Sequence, residues 1–130
     1  MSTIGFLTSD LMFHSRVSQS LNDLKSNGRE LTLTVNRNVE KLIEKLIEKL
    51  SEASDVKLII VDLSLRELNI EAVTKSLRDS LPNVPIIAYG PHVAGALLQA
   101  AADAGVESVY TRGQFDHRMT EIISEYTNVS

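Results

Sequence analysis

Asp62 is the residue of this chain best placed for chemistry. It closes the run Leu58-Ile59-Ile60-Val61, the most apolar stretch of the sequence. A carboxylate at the end of such a run is either held by hydrogen bonds as a loop cap or kept for reaction. Other polar residues gather at comparable points, just after short apolar segments: Thr8, Ser9 and Asp10; Ser64; Gly90, Pro91 and His92; and Arg112. The common reaction motifs do not surround them. His14, His92 and His117 are the only histidines, and no His-x-His, His-x3-His or Glu-x-x-His spacing joins them into a metal site. Neither Ser9 nor Ser64 lies in a Gly-x-Ser-x-Gly elbow, which argues against serine hydrolysis. No Gly-x-Gly-x-x-Gly and no Walker phosphate loop follows the first apolar segment, so dinucleotide and nucleoside triphosphate sites lack their main support. The absence of cysteine removes disulfides, thiol nucleophiles and thiolate-held metals.

Five short segments read as buried strands that place these residues: Thr3 to Leu7, Leu31 to Val35, Val56 to Val61, Pro85 to Tyr89 and Ser108 to Thr111. A helical pattern follows each. Met12, Phe13, Val17, Leu21 and Leu24 recur at helical spacing, with Asn27-Gly28 as the stop. From Val39 to Ala53, residues Val39, Leu42, Ile43, Leu46, Ile47, Leu50 and Ala53 fall within an arc of roughly 140°, wider than a coiled-coil seam and suited to docking on a sheet. Its Glu and Lys rows read as a solvated face of little energetic weight. A third helix is capped by Asn69, carries Ile70, Val73, Leu77 and Leu81 on one face, and stops at Pro82. The fourth, Val93 to Ala104, is rich in alanine, with Leu97 and Leu98 as its only large apolar residues past the first turn and Gly105 as its stop. The fifth, after Gly113, carries Phe115, Met119, Ile122, Ile123 and Tyr126. Alternating strands and helices imply right-handed crossovers and a parallel sheet covered on both faces, a three-layer α/β domain. In such a sheet ligands bind outside the carboxyl ends of the strands, where all the candidate residues fall.

With 130 residues, 43% of them hydrophobic and 23% charged, the chain has the composition of one globular domain, residues 1–130. Its net charge of -4 provides no field to gather nucleic acid or anionic lipid. The first ten residues lack a basic region before their apolar stretch, unlike a secretory signal, and the longest apolar run is far below the roughly 20 residues of a spanning helix. The expectation is a soluble, cytoplasmic protein.

The stretch from Val56 to Phe115 resembles the second half of a response-regulator receiver domain. Asp62 matches the phosphate-accepting Asp at the end of the third strand. Asn83-Val84-Pro85-Ile86-Ile87-Ala88-Tyr89 resembles the approach to the fourth strand, and Ala104-Gly105-Val106-Glu107-Ser108-Val109-Tyr110 the alanine-glycine turn into the fifth. The resemblance implies a CheY-like, flavodoxin-like doubly wound sheet of five parallel strands in the order 2-1-3-4-5. It also implies a magnesium site fed by an acidic pair after the first strand. Thr8 and Ser9 occupy those positions without a gap and Asp10 comes one place later, so Asp10 and Asp62 are the metal candidates. Gly90 replaces the family's Thr or Ser, Arg112 its lysine as the phosphate contact, Gly113 the proline beside it, and Leu65-Arg66 the usual Met-Pro. Val109 falls at the aromatic switch position, with Tyr110 one residue on and so facing the other side of the sheet.

With most of the phosphoryl-transfer parts replaced, the leading expectation is a degenerate receiver-like signalling module, not an enzyme and without resident cofactor. It would act on a protein partner such as a sensor kinase or effector, or on a second copy. The surface expected to do so comprises the fourth helix, fifth strand and fifth helix, with Leu97, Leu98, Val109 and Tyr110 as its residues. Two alternatives stand beside it. One is a phosphoacceptor using Asp62 and Asp10 with Mg²⁺ and Arg112; the other is a small-molecule binder or enzyme in which His92 is acid or base.

Overall fold

The computed structural model describes residues 1–52 and 54–127. Its elements in chain order are β1 (Ser2–Leu7), α1 (Leu11–Lys25), β2 (Leu31–Asn36), α2 (Val39–Ser51), β3 (Asp55–Asp62), α3 (Ile70–Ser80), β4 (Ile86–Gly90), α4 (Gly95–Asp103), β5 (Ser108–Thr111), α5 (Arg112–His117) and α6 (Met119–Thr127). The strands form one sheet in the order β2-β1-β3-β4-β5 with every pairing parallel. This is the expected doubly wound arrangement. It places the carboxyl ends of β1, β3, β4 and β5 along a single edge.

The sequence makes each strand two-sided because both faces are covered by helices. Leu7, Ile59, Val61, Ile86 and Ala88 pack beneath α2, α3 and α4. Ile4, Phe6, Leu58, Ile60, Ile87 and Tyr89 pack on the other face with Phe13, Val17 and Leu21 of α1, Phe115 of α5 and Ile122 of α6. α2 approaches β1 closely at Gly5, where an added Cβ would lie 2.9 Å from Leu46 Cδ1. The Asn38 and Asn69 side chains accept the Lys41 and Ala72 amides at the starts of α2 and α3. Gly28 and Gly105 follow α1 and α4 at φ +91° and +87°, the left-handed region that favours glycine.

Several sequence expectations are corrected. Met12 is exposed rather than on the buried stripe, because α1 turns its first apolar pair, Leu11 and Met12, outward before Phe13 reaches the core. On α2 only Leu42, Ile43 and Leu46 are buried, while Ile47 and Leu50 stay 44% and 46% exposed. The contact with the sheet is therefore narrower than the stripe; Ala53, assigned to it, lies outside the described residues. Val93 belongs to a turn, not to α4, which starts at Gly95. The fifth helix begins one residue before Gly113 and breaks at Arg118 into α5 and α6. A Thr111–Gln114 capping box fixes its start. β3 extends to include Asp62, and β4 begins after Pro85.

Candidate functional site

The strand registers set Thr8, Asp62, Tyr89 and Tyr110 side by side across the sheet. Leu7 pairs with Val61, so Thr8 and Asp62 are the next residues along; Asp62 pairs with Tyr89, and Tyr89 with Tyr110. Asp62 is 2% exposed. Its Oδ2 accepts the Thr8 hydroxyl at 2.7 Å and its Oδ1 the Ser64 amide at 2.9 Å. A side chain of its own chain thus occupies one carboxylate oxygen and a backbone amide the other. The Thr8 oxygen in turn accepts the Asp10 amide at 3.0 Å.

Asp10 is directed elsewhere. Its Oδ1 caps α1 by accepting the Phe13 amide at 3.1 Å, and its Oδ2 accepts from the Arg112 guanidinium in an ion pair. Arg112 lies over the Phe13 ring, with Cζ 4.3 Å from the ring centroid, a cation–π contact. It makes no ion pair with Asp62. Partial burial opposes ionisation of Asp10, but the Phe13 amide and the Arg112 guanidinium outweigh it and hold its carboxyl below the usual range. A depressed carboxyl pKa stabilises the folded state above the unfolded-state pKa, near 3.9, and that contribution is lost as pH falls through the lower folded value. Asp10→Asn keeps a good cap but removes the charge. After allowance for solvent around the half-exposed Arg112, it is expected to cost about 0.5–1 kcal/mol near pH 7. The difference from wild type should close in acid, as read by urea melts at several pH values; a pH-independent difference would show that the ion pair is not its source.

Mg²⁺ demands near-octahedral hard oxygen donors. In this chain the hydroxyl of Thr8 replaces an acid and is spent on Asp62, while the Asp10 carboxylate is bound to a cation of the protein itself. Among the described residues no three His, Cys, Asp or Glu side chains are grouped to hold a metal ion. The residues present do not fit the ion.

Below this polar layer lies an aromatic stack for which the sequence reading assigned no role. The Tyr89 ring is sandwiched between Phe13 and Phe115, each centroid 4.9 Å away and nearly parallel. Phe6 and Tyr110 flank it at 6.2 Å from Tyr89 and Phe115 respectively. Tyr89 is 1% exposed, and its hydroxyl finds no hydrogen-bond partner among the described residues. Burial first, then the neighbouring Asp62 carboxylate, push this phenol far above its ordinary range. The only sign in the sequence was a tyrosine one residue from the end of an otherwise aliphatic strand.

Gly90 lies on the opposite face of the sheet from Tyr89. A Cβ there would meet Leu63 Cβ at 3.1 Å, Leu63 Cδ1 at 3.4 Å and Leu98 Cδ2 at 3.6 Å. Leu63 is itself 2% exposed. On this face the space over Gly90 is filled by Leu63 and Leu98. Val109 packs with the α4 side of the sheet and Tyr110 with Phe115 on the other, as their alternation required. Leu97 is 40% exposed and Leu98 half-buried. His92 is exposed in the turn closed by the Ala94 amide on the Pro91 carbonyl, and Arg66 is exposed in the loop after β3.

Solved structures similar to this chain include receiver domains of response regulators and of a sensor kinase. A response regulator of red-light signalling from R. palustris superposes with a TM-score of 0.76 at 11% identity, covering 100% of this chain and 96% of that one. The receiver domain of a sensor histidine kinase from Pseudomonas aeruginosa, with a magnesium ion in its active-site cleft, gives 0.72 at 15% identity over 98% of each chain. A receiver domain from Saccharomyces cerevisiae, crystallised with a histidine phosphotransfer signalling protein, gives 0.70 at 16% identity over 97% of this chain and 88% of that one. No family model matches the chain, and no curated protein does. The chain has the CheY-like receiver fold. No helix among its described residues is long and apolar enough to cross a membrane.

Proposed function

We propose that this chain is a receiver-type domain of two-component signalling that works through protein contacts and not through Mg²⁺-dependent phosphorylation of Asp62. One observation carries the reading: at the position of the phosphoacceptor, both carboxylate oxygens are engaged by Thr8 and Ser64, and the nearest acid is engaged by Arg112. Transfer of a phosphoryl group relies on positioned cations and donors around the acceptor, and here those positions hold Thr8, Ser9 and Gly90. The face of α4, β5 and the last helical stretch, α5 with α6, carrying Leu97, Leu98, Val109 and Tyr110, is the proposed contact surface. A kinase, an effector or a second copy is the partner class. The yeast receiver domain seen with a phosphotransfer protein supports a protein partner of this general kind.

The test is intact-mass analysis and an amide NMR titration with Mg²⁺ and acetyl phosphate, then with beryllium fluoride, against Asp62→Asn. The expected result is a folded protein with no adduct and no shifts centred on Asp62. A hydroxylamine-labile adduct that disappears in Asp62→Asn would replace this reading with that of a working phosphoswitch.

A further inference from the structure

β2 is an open edge of the sheet. Among the described residues its one neighbour is β1, and the two strands pair in parallel without a bulge from Ser2–Leu31 to Leu7–Asn36. The Ser2 amide donates to the Glu30 carbonyl at 2.9 Å and the Thr8 amide to the Asn36 carbonyl at 3.1 Å. Alternate residues of an edge strand bond to its one neighbour in a parallel ladder. Thr32 and Thr34 therefore turn their backbone groups to β1, while Leu31, Leu33 and Val35 turn theirs outward. Edge strands are commonly blunted by a charge, a proline or a bulge; Leu31–Asn36 has none of these.

The two faces beside this edge differ. Leu31, Leu33 and Val35 point to the α1 side, where Leu33 and Val35 are half-buried against the core. Thr32 and Thr34 point to the α2 side, with the Thr32 hydroxyl 2.9 Å from that of Thr3. α2 lies over this second face and is charged along both flanks. Val39 and Glu40 line the gap to α3 with Ala72 and Ser76. At about 100° per residue, Glu44 and Glu48 continue toward solvent from that flank, and Lys41, Lys45 and Lys49 fall on the opposite one, above β2. Lys49 is paired with Glu52 at 3.7 Å. Lys41 and Lys45 are exposed and have no ion-pair partner among the described residues.

The charges select what can cover the edge. Antiparallel pairing of β2 with β2 of a second copy requires a two-fold axis normal to the sheet, which sets α2 beside α2 and one lysine row against the other. An acidic strand meets attraction where a second copy meets repulsion.

We propose that β2 accepts an extended segment of a partner protein as a sixth strand, one that alternates aliphatic residues on the α1 side with Asp or Glu on the α2 side. Main-chain bonds to Leu31, Leu33 and Val35 hold the segment, its aliphatic residues extend the row of Leu33 and Val35, and its carboxylates meet Lys41 and Lys45. β2 lies at the other edge of the sheet from β5, so this surface is separate from Asp62 and from the contact surface proposed above, and it stands whether or not Asp62 accepts phosphate.

The probe is a synthetic peptide of about eight residues, long enough to span β2, with valine and glutamate in alternation. It is titrated into the isotope-labelled full chain and read by amide NMR and hydrogen exchange. In the free chain the Leu33 and Val35 amides should exchange faster than those of Thr32 and Thr34, which are bonded to β1. Saturating peptide should slow Leu33 and Val35 by at least about tenfold. Lys41→Glu combined with Lys45→Glu should weaken binding by roughly tenfold, the order of two exposed ion pairs, while the resonances of β3 and β4 stay in place. Two further peptides, N-methylated at every valine or at every glutamate, separate strand addition from charge attraction alone. One of these sets of amides must face β2, so one of the two peptides should lose binding. The proposal is overturned if Leu33 and Val35 gain no protection, if both methylated peptides bind as well as the parent, if the double charge reversal binds equally, or if a peptide with lysine for glutamate binds equally. It is also overturned if protection of these amides grows with protein concentration alone, which would make a second copy the occupant.

Discussion

Tyr89→Ala is expected to destabilise the fold by about 3–5 kcal/mol, the cost of emptying a large aromatic site in a packed core. The ring is the middle member of a three-ring stack that joins α1, β4 and α5, so its loss removes both interfaces at once. Phe13 would also lose the support beneath the face on which Arg112 rests. Tyr89→Phe is expected to behave oppositely. It keeps the stack and deletes a buried hydroxyl that has no partner among the described residues, leaving stability unchanged or raised by about 1 kcal/mol. Urea unfolding of the pair, with m-values compared to confirm that the unfolded states are alike, reads both effects. A loss of more than about 1 kcal/mol in Tyr89→Phe would show that the hydroxyl is engaged, and the account of the stack would then be wrong.

Gly90→Thr restores the residue type that receiver domains carry at the end of the fourth strand, and it is expected to cost about 1–3 kcal/mol. The backbone is not the obstacle, since Gly90 does not occupy the left-handed region. The obstacle is Leu63, whose Cβ stands 3.1 Å from where the new Cβ must go and which is too buried to withdraw. Gly90→Ala should show most of the same cost, separating the packing clash from any effect of the hydroxyl. Leu63→Ala keeps the Cβ and removes only the Cδ1 contact at 3.4 Å, so in the Gly90→Thr background it should recover a minor part of the cost, a coupling that a double-mutant cycle measures directly. Additive effects in that cycle would show that the Leu63 Cδ1 atom is no part of the obstacle. The restored hydroxyl is not expected to make Asp62 a phosphoacceptor, because Thr8 and Arg112 are unchanged.

The layer order of the fold was legible in the sequence because burial on both faces of a parallel strand produces short apolar runs, and helices between them show a different period. Asp62, Gly90 and Arg112 were found at strand ends for the same reason: the change from apolar to polar marks where a strand leaves the core. The extent of contact was not legible. Met12, Ile47 and Leu50 keep the helical spacing of buried residues yet remain exposed, because the period shows only which side of a helix is apolar and not how much of that side its neighbour reaches. The break of the last helix at Arg118 was hidden similarly, since the apolar spacing continues through it.

By itself, then, the sequence determined the alternation of elements and the identity of the residues at the strand ends. Only the tertiary structure decided what those residues touch: Thr8 with Asp62, Asp10 with Arg112, Leu63 over Gly90, and Tyr89 between two phenylalanines. Those pairings join positions up to 102 residues apart in the chain. Local periodicity reports on neighbours within a turn or two, whereas hydrogen bonds and ring stacking depend on strand register and helix placement, which the packing of the whole chain sets.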